Sequence, residues 1–204
     1  MKLYHSPMAP NPDRVVYFLR AKGKLDAVDL QEVSIMQQDH KKPEYREVSP
    51  FSQVPALVLD DGTKLTESRA ICTYFEGIFP EPNLMGADPK EKALIEMWDR
   101  RIELMFFIQF AGWFRNVHPM MAPLEVPQSA EAAAKSEKAA RKMAERLNEH
   151  LANNEFVAAD RFSIADITLF ITCGFCRVMK WAPHKELPNL GRWYDVMAQR
   201  GFAG

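Results

Sequence analysis

The 204-residue chain reads as an α/β first third followed by an all-helical remainder. Three observations predict this. Strand-like and helix-like periods alternate up to residue 79, the run "PEPNLMGADPKE" then breaks the pattern with prolines, Asn83 and Gly86, and every later segment carries a helical period. The expected division is 1–79 for the α/β domain, 80–89 for the linker and 90–204 for the helical domain.

The elements follow in order. "KLYH" is a short strand, and "DRVVYFLRAKG" is a helix with Val15, Phe18 and Leu19 on one face and Gly23 as its stop. "AVDLQEV" reads as a second strand through Val28, Leu30 and Val33. The polar stretch from Ser34 to Gln53 has no clear period. Ala56–Leu59 and Thr63–Leu65 form a hairpin across Asp61-Gly62, and Ser68 opens a helix over "RAICTYFEGIF". The order β-α-β, then β-β-α, is that of a thioredoxin-like domain.

Beyond the linker, "KEKALIEMWDRRIELMFFIQFAGWFR" is one long aromatic-rich helix and "VHPMMAPLEVPQ" is a loop. In "SAEAAAKSEKAARKMAERLNEHLANN", Ala140, Met143, Ala144, Leu147 and Leu151 share one face. "SIADITLFITCGFCRVMKW" is apolar nearly all round, as a central bundle helix is, and "LPNLGRWYDVMAQRG" closes the chain.

Composition narrows the function. A formal net charge of -1 argues against sequence-independent nucleic-acid binding, which requires a basic surface. The N-terminal stretch has no apolar run of signal length, and no segment is apolar enough to span a bilayer. Cys72, Cys173 and Cys176 make no disulfide framework, so a cytoplasmic location is expected. "CGFC" has redox spacing but falls inside the apolar helix, which favours core packing. "DHKKPEYREV" lacks metal-ligand spacing, so no metal is expected.

Three short stretches could hold one ligand. Pro55 precedes an apolar strand. A cis bond there would turn the Val54 backbone outward to pair with an extended peptide-like ligand, whereas a trans proline at a strand start needs no function. In "TES", Ser68 and the free N–H groups behind it suit a carboxylate, and Glu67 suits an ammonium; ordinary helix capping by Ser68 explains it equally. In "SPMAPNPDR", Asn11 fits a helix N-cap with Pro12 at the first helical position. The same helix end would stabilise a thiolate. No cysteine stands there, so the thiolate would arrive on the ligand.

In this order and spacing, "RVVYFLRAKG", "SQVPALVLDDGTKLTESRAI" and "NLMG" resemble a cytosolic glutathione transferase over essentially the whole chain. The resemblance implies glutathione as co-substrate, an apolar electrophile as second substrate and a homodimer. It places Gln53, Val54, Pro55, Glu67 and Ser68 on glutathione, with His40 near the glycine carboxylate as in theta-like members. "FSIADITLF" resembles the family's capping box, with Ser163 and Asp166 capping reciprocally beside Phe162 and Ile167. The family's usual catalytic tyrosine, serine or cysteine is missing. Nu-like members carry Thr-Pro-Asn where this chain has Ala9-Pro10-Asn11, so Asn11 is the implied partner of the sulfur, with Ser6 as the alternative. Most of the aromatic run "IELMFFIQFAGWF" reads as core, and the resemblance implies that Phe106, Phe110 and Trp113 are spared from it to wall the electrophile site with Met8, with "NVHP" either at its mouth or a plain helix end. A glutathione-dependent peroxidase or disulfide reductase, or a non-catalytic ligand-binding relative, are the alternatives on the same scaffold.

Overall fold

A computed structural model describes residues 1–202. Contacts divide it into two units, Met1–Leu84 together with Gly201 and Phe202, and Met85–Arg200.

The first unit is thioredoxin-like. It holds β1 (Lys2–His5), α1 (Pro10–Ala21), β2 (Asp29–Glu32), α2 (Pro43–Val48), β3 (Ala56–Val58), β4 (Lys64–Thr66) and α3 (Ser68–Ile78). The sheet order is β2-β1-β3-β4. β1 runs parallel to β2 and antiparallel to β3, and β3 is antiparallel to β4. Leu3 pairs with Leu30 on one side and Leu57 on the other. A parallel pair needs a crossover, and α1 supplies it. Val15, Phe18 and Leu19 of that helix are buried, as their spacing predicts.

Local turn chemistry matches expectation. Gly62 takes a positive φ of 85°, and the Asp61 side chain accepts the Thr63 N–H at 2.8 Å. Gly23, with φ 62°, ends α1, and the Lys24 N–H returns to the Leu19 carbonyl at 2.8 Å.

β2 departs from its predicted pattern. All four residues of Asp29–Glu32 are exposed, while Val28 and Val33, just outside, are buried. The strand lies on the sheet edge beside β1, and the burial falls on Val28 and Val33 at its two ends.

The C-terminal end of α1 is pinned from below. Lys22 is buried, and its Nζ meets the carbonyls of Phe79 and Pro82 at 2.8 Å each and Glu76 Oε2 at 2.6 Å. Glu76 also accepts the Leu84 N–H at 3.0 Å.

The second unit is all-α. It contains α4 (Pro89–Ile102), α5 (Ile108–Val117), α6 (Ala130–Leu151), α7 (Ile164–Phe175), the short α8 (Pro183–Glu186) and α9 (Pro188–Ala198). The long helix expected from residue 90 onward is interrupted by a π-type turn at Glu103–Phe107 between α4 and α5. The predicted face of α6 is buried throughout. Gly112 of α5 allows close approach to α6, because a Cβ there would stand 2.9 Å from Ser136 Oγ.

α7 is the buried central helix. Its capping box is formed by Ser163 and Asp166, as predicted. Asp166 is buried and accepts from the Val157 N–H at 3.0 Å, the Ser163 N–H at 3.0 Å, the Ser163 hydroxyl at 3.2 Å and Trp193 Nε1 at 2.9 Å. Burial pushes its carboxyl up to about 6, while these donors pull the other way. Cys173 and Cys176 are buried and free, and burial raises both thiols far above the ordinary range. Redox spacing in "CGFC" therefore belongs to core packing. Among the described residues no helix is long and apolar enough to cross a membrane.

Candidate functional site

A cleft opens in the first unit. Three sides of it can be built from the chain. α1 contributes Asn11, the turn before β3 contributes Gln53, Val54 and Pro55, and the β4–α3 junction contributes Thr66, Glu67 and Ser68. Six of the predicted residues, Asn11, Gln53, Val54, Pro55, Glu67 and Ser68, thus converge on one cavity although they span nearly 60 positions. The Val54–Pro55 peptide is cis.

Asn11 does not cap α1. The helix starts at Pro10 with Ala9 as its N-cap, and Ala9 offers no side-chain acceptor. Pro12 accordingly stands at the third helical position and not the first. Among the first three helical positions, two are prolines without an N–H. Asn11 therefore supplies the sole backbone donor of those three, and its side-chain amide adds two more. The next N–H, of Asp13, is spent on the Ala9 carbonyl at 3.0 Å. Helix dipole and donors are concentrated on one residue that lines the cleft.

Ser6, the alternative, is buried beneath the loop and is absent from the cleft lining. Its carbonyl accepts the Ala9 N–H at 3.2 Å. Between them Met8 adopts φ 63° and is exposed. Its N–H donates to the Asp13 carboxylate, whose pKa burial pushes up to about 6, against the pull of Arg20 and of this bond.

Ser68 does not act as the N-cap either. α3 begins at Ser68, and Glu67 occupies the cap position with φ 65° and ψ 113° and no side-chain cap bond. Such a backbone conformation is costly for a residue with a side chain, and here it faces the cleft. The Ser68 hydroxyl instead accepts from Arg14 at 3.2 Å. Arg14 is buried, so a fixed cation sits behind the polar end of the cleft. A guanidinium only donates, which leaves the Ser68 proton for another acceptor.

His40 lies in a helical turn at Asp39–Lys41 and is not part of the cleft lining. Burial, then Lys41, lowers its pKa from 6.5. The shift favours the neutral imidazole.

The implied electrophile wall requires correction. Phe106 and Phe110 are fully buried in the second unit and offer no surface to a ligand. Phe110 packs on Trp113 at 5.6 Å, Phe175 at 4.9 Å and Trp181 at 6.2 Å, and Phe106 packs on Trp181 at 6.0 Å. Trp113 is buried under the guanidinium of Arg141 at 5.3 Å. An aromatic run on several sides of a helix fills the bundle core first. Met8 alone of the four is exposed.

Sequence reasoning missed Ser49 and Phe51 on the cleft rim and Tyr45 behind it. Ser49-Pro50 is a turn-starting pair and was a usable signal for the first two. Nothing in sequence pointed to Tyr45. Among the described residues, no group of three or more His, Cys, Asp or Glu could hold a metal ion.

The chain thus carries a thioredoxin-like unit with a cleft at the start of α1, followed by an all-helical unit. Residues 3–83 match the family model "Glutathione S-transferase, N-terminal domain", and residues 102–200 match "Glutathione S-transferase, C-terminal domain". The chain belongs to the glutathione S-transferase family. It is 32% identical over 201 residues to glutathione S-transferase 2 of Saccharomyces cerevisiae, covering 98% of this chain and 86% of that protein. The crystal structure of a glutathione S-transferase domain-containing protein from Marinobacter aquaeolei superposes with a TM-score of 0.94 at 35% identity over the full length of both chains. Gtt2 from Saccharomyces cerevisiae superposes with a TM-score of 0.93 at 32% identity, covering 100% of this chain and 98% of that one.

Proposed function

We propose that the protein is a glutathione transferase in which Asn11 holds the glutathione sulfur as a thiolate. The observation that carries this is the position of Asn11. It faces the cleft from the first turn of α1, with a backbone N–H and a side-chain amide not used for capping. An amide donates to a thiolate but takes no proton from a thiol, so the proton leaves to solvent. The thiolate then attacks the electrophilic carbon, a C–S bond forms, and the leaving group departs with its electron pair. Preorganised donors stabilise the charged sulfur without reorganising as it forms.

The rest of the cleft suits the tripeptide. The cysteinyl backbone lies along Val54 as an added strand would. The γ-glutamyl end meets Ser68 and Glu67, its carboxylate backed by Arg14, and the glycine end lies toward Gln53, with His40 outside the cleft lining. The second substrate is an apolar electrophile. Its wall is not built by Phe106 and Phe110, which are buried, and the exposed Met8 is the remaining candidate. The protein works in the cytoplasm, in detoxification, as a homodimer; the dimer is supported by Phe51, an 80% exposed aromatic at the cleft that a second subunit would cover. Light scattering of the purified protein tests the dimer.

The test of the chemistry is the ultraviolet absorbance of bound glutathione thiolate against pH, in wild type and Asn11→Ala. The bound thiol should titrate below its free value of about 8.5 and rise toward that value in the variant. Binding with an unshifted thiol in wild type would overturn the role of Asn11, and no glutathione binding would overturn the function.

A further inference from the structure

The turn that precedes Val54 is gripped by α2 in an unusual way. Two hydroxyls converge on one backbone carbonyl. Tyr45 Oη donates to the Gln53 carbonyl at 2.7 Å, and Ser49 Oγ donates to the same oxygen at 2.9 Å. The Gln53 N–H returns to Ser49 Oγ at 3.3 Å. A third tie comes from Arg46, whose Nε donates to Ser52 Oγ at 3.1 Å, where Ser52 takes φ 55°.

Neither hydroxyl is there by accident of exposure. Tyr45 and Ser49 are both buried. The Tyr45 ring packs edge-on against Tyr4 at 5.8 Å and belongs to a small core with Val33 and Ala56. Packing of the ring therefore fixes where its hydroxyl stands. Burial pushes the Tyr45 phenol up to about 12, so it stays protonated and acts as a donor.

The geometry of the peptide unit turns this grip into a functional statement. The Gln53–Val54 peptide is trans, so the Gln53 carbonyl and the Val54 N–H point in opposite directions. With both lone pairs of the carbonyl engaged toward α2, the peptide plane cannot rotate, and the Val54 N–H is aimed away from α2. Gln53 and Val54 line the cleft, whose other walls come from α1 and the β4–α3 junction.

We propose that Tyr45 and Ser49 are positioning residues for ligand recognition: by holding the Gln53 carbonyl on α2 they aim the Val54 N–H at a main-chain carbonyl of the bound peptide. The inference rests on reading the cleft as a glutathione site. It makes α2 the element that sets recognition of the peptide backbone, as distinct from the thiol or the two carboxylates.

The test measures glutathione affinity by calorimetry for the full chain and for Tyr45→Phe, Ser49→Ala and the double variant. A second ligand is glutathione with the cysteinyl–glycine amide replaced by a trans alkene, which removes the carbonyl acceptor, adds no charge and keeps the thiol and both charged ends. Wild type should prefer glutathione over this analogue by about tenfold, the worth of one hydrogen bond. Each single variant should weaken glutathione about fivefold to tenfold, and the double variant should bind the two ligands within about twofold of each other. In turnover the KM for glutathione should rise by the same factor while kcat stays within about twofold. Far-ultraviolet circular dichroism checks that each variant is folded; the two singles change one oxygen each, so either alone carries the test. Undiminished preference for glutathione in the folded variants overturns the inference while leaving the glutathione reading intact. Absence of glutathione binding by wild type overturns both.

Discussion

Lys22→Met should destabilise the first unit by about 3–5 kcal/mol. The reasoning starts from what the ammonium touches. It is sealed from solvent and satisfies two carbonyls and one carboxylate, at 2.8, 2.8 and 2.6 Å. Methionine matches the length and apolar stem but not the charge. Its introduction leaves the carbonyls of Phe79 and Pro82 without this donor and the Glu76 carboxylate without its cation. Removing one member of a buried charge pair costs about 3–5 kcal/mol. At roughly 2–4 °C per kcal/mol for a chain of this size, the midpoint should fall by about 6–20 °C. Urea denaturation followed by circular dichroism is the assay. Glu76→Leu and the double variant complete a cycle, in which the double should be at least about 1 kcal/mol more stable than the two singles added together. Glutathione affinity should change little, because Lys22 lies at the end of α1 opposite Asn11. A Lys22→Met variant within 1 kcal/mol of wild type, or additive singles, would refute the argument.

Two further predictions concern the second unit. Asp166 is held at about 6 by burial, above its unfolded value near 3.9. The folded state therefore holds the proton more tightly, and this group's stabilising contribution is fully present below about pH 4 and falls by about 3 kcal/mol as pH rises through 6. Asp166→Asn should lose that pH dependence, so urea titrations at pH 4 and 7 should show the gap between wild type and variant narrowing at the higher pH. A constant gap would sink the assignment. Cys173 and Cys176 are buried with raised pKa values, so a thiol reagent at pH 8 should label neither until denaturant is added. Rapid native labelling at either position, read by mass spectrometry, would contradict their placement in the core.

How far the sequence could be read depended on the range of the interaction. The Asp61-Gly62 turn, the Ser163–Asp166 box and the buried stripe of α6 were legible because each is decided within a few residues. A positive φ, a reciprocal cap and a 3.6-residue period leave local marks. The start of α1 was misread by two residues. The sequence pointed to Asn11 as the cap and Pro12 as the first helical residue, whereas Ala9 and Pro10 hold those places. Proline at the first helical position prevailed, which freed the Asn11 side chain from capping. β2 was found, but the exposure of Leu30 was not, since what covers a face of the sheet is set by elements distant in the chain.

The site itself divides along the same line. The cleft residues Val54, Pro55, Glu67 and Ser68 could be singled out by type and spacing, because they belong to short continuous stretches. What holds them could not. Arg14 reaches Ser68 across 54 positions, and the Tyr45 hydroxyl finds the Gln53 carbonyl only once its ring is packed against Tyr4. Phe106 and Phe110 show the converse error. Their sequence neighbourhood fits a pocket wall as well as a core, and only their contacts with Phe175 and Trp181 assign them to the core. The sequence alone determined the order of elements, the turns and the residue types offered to a ligand, since these follow from local backbone and periodicity preferences. The tertiary structure decided which side chains are exposed, which hydroxyls are already spent and which donors remain for a ligand, because burial and hydrogen-bond pairing are settled between segments far apart in the chain.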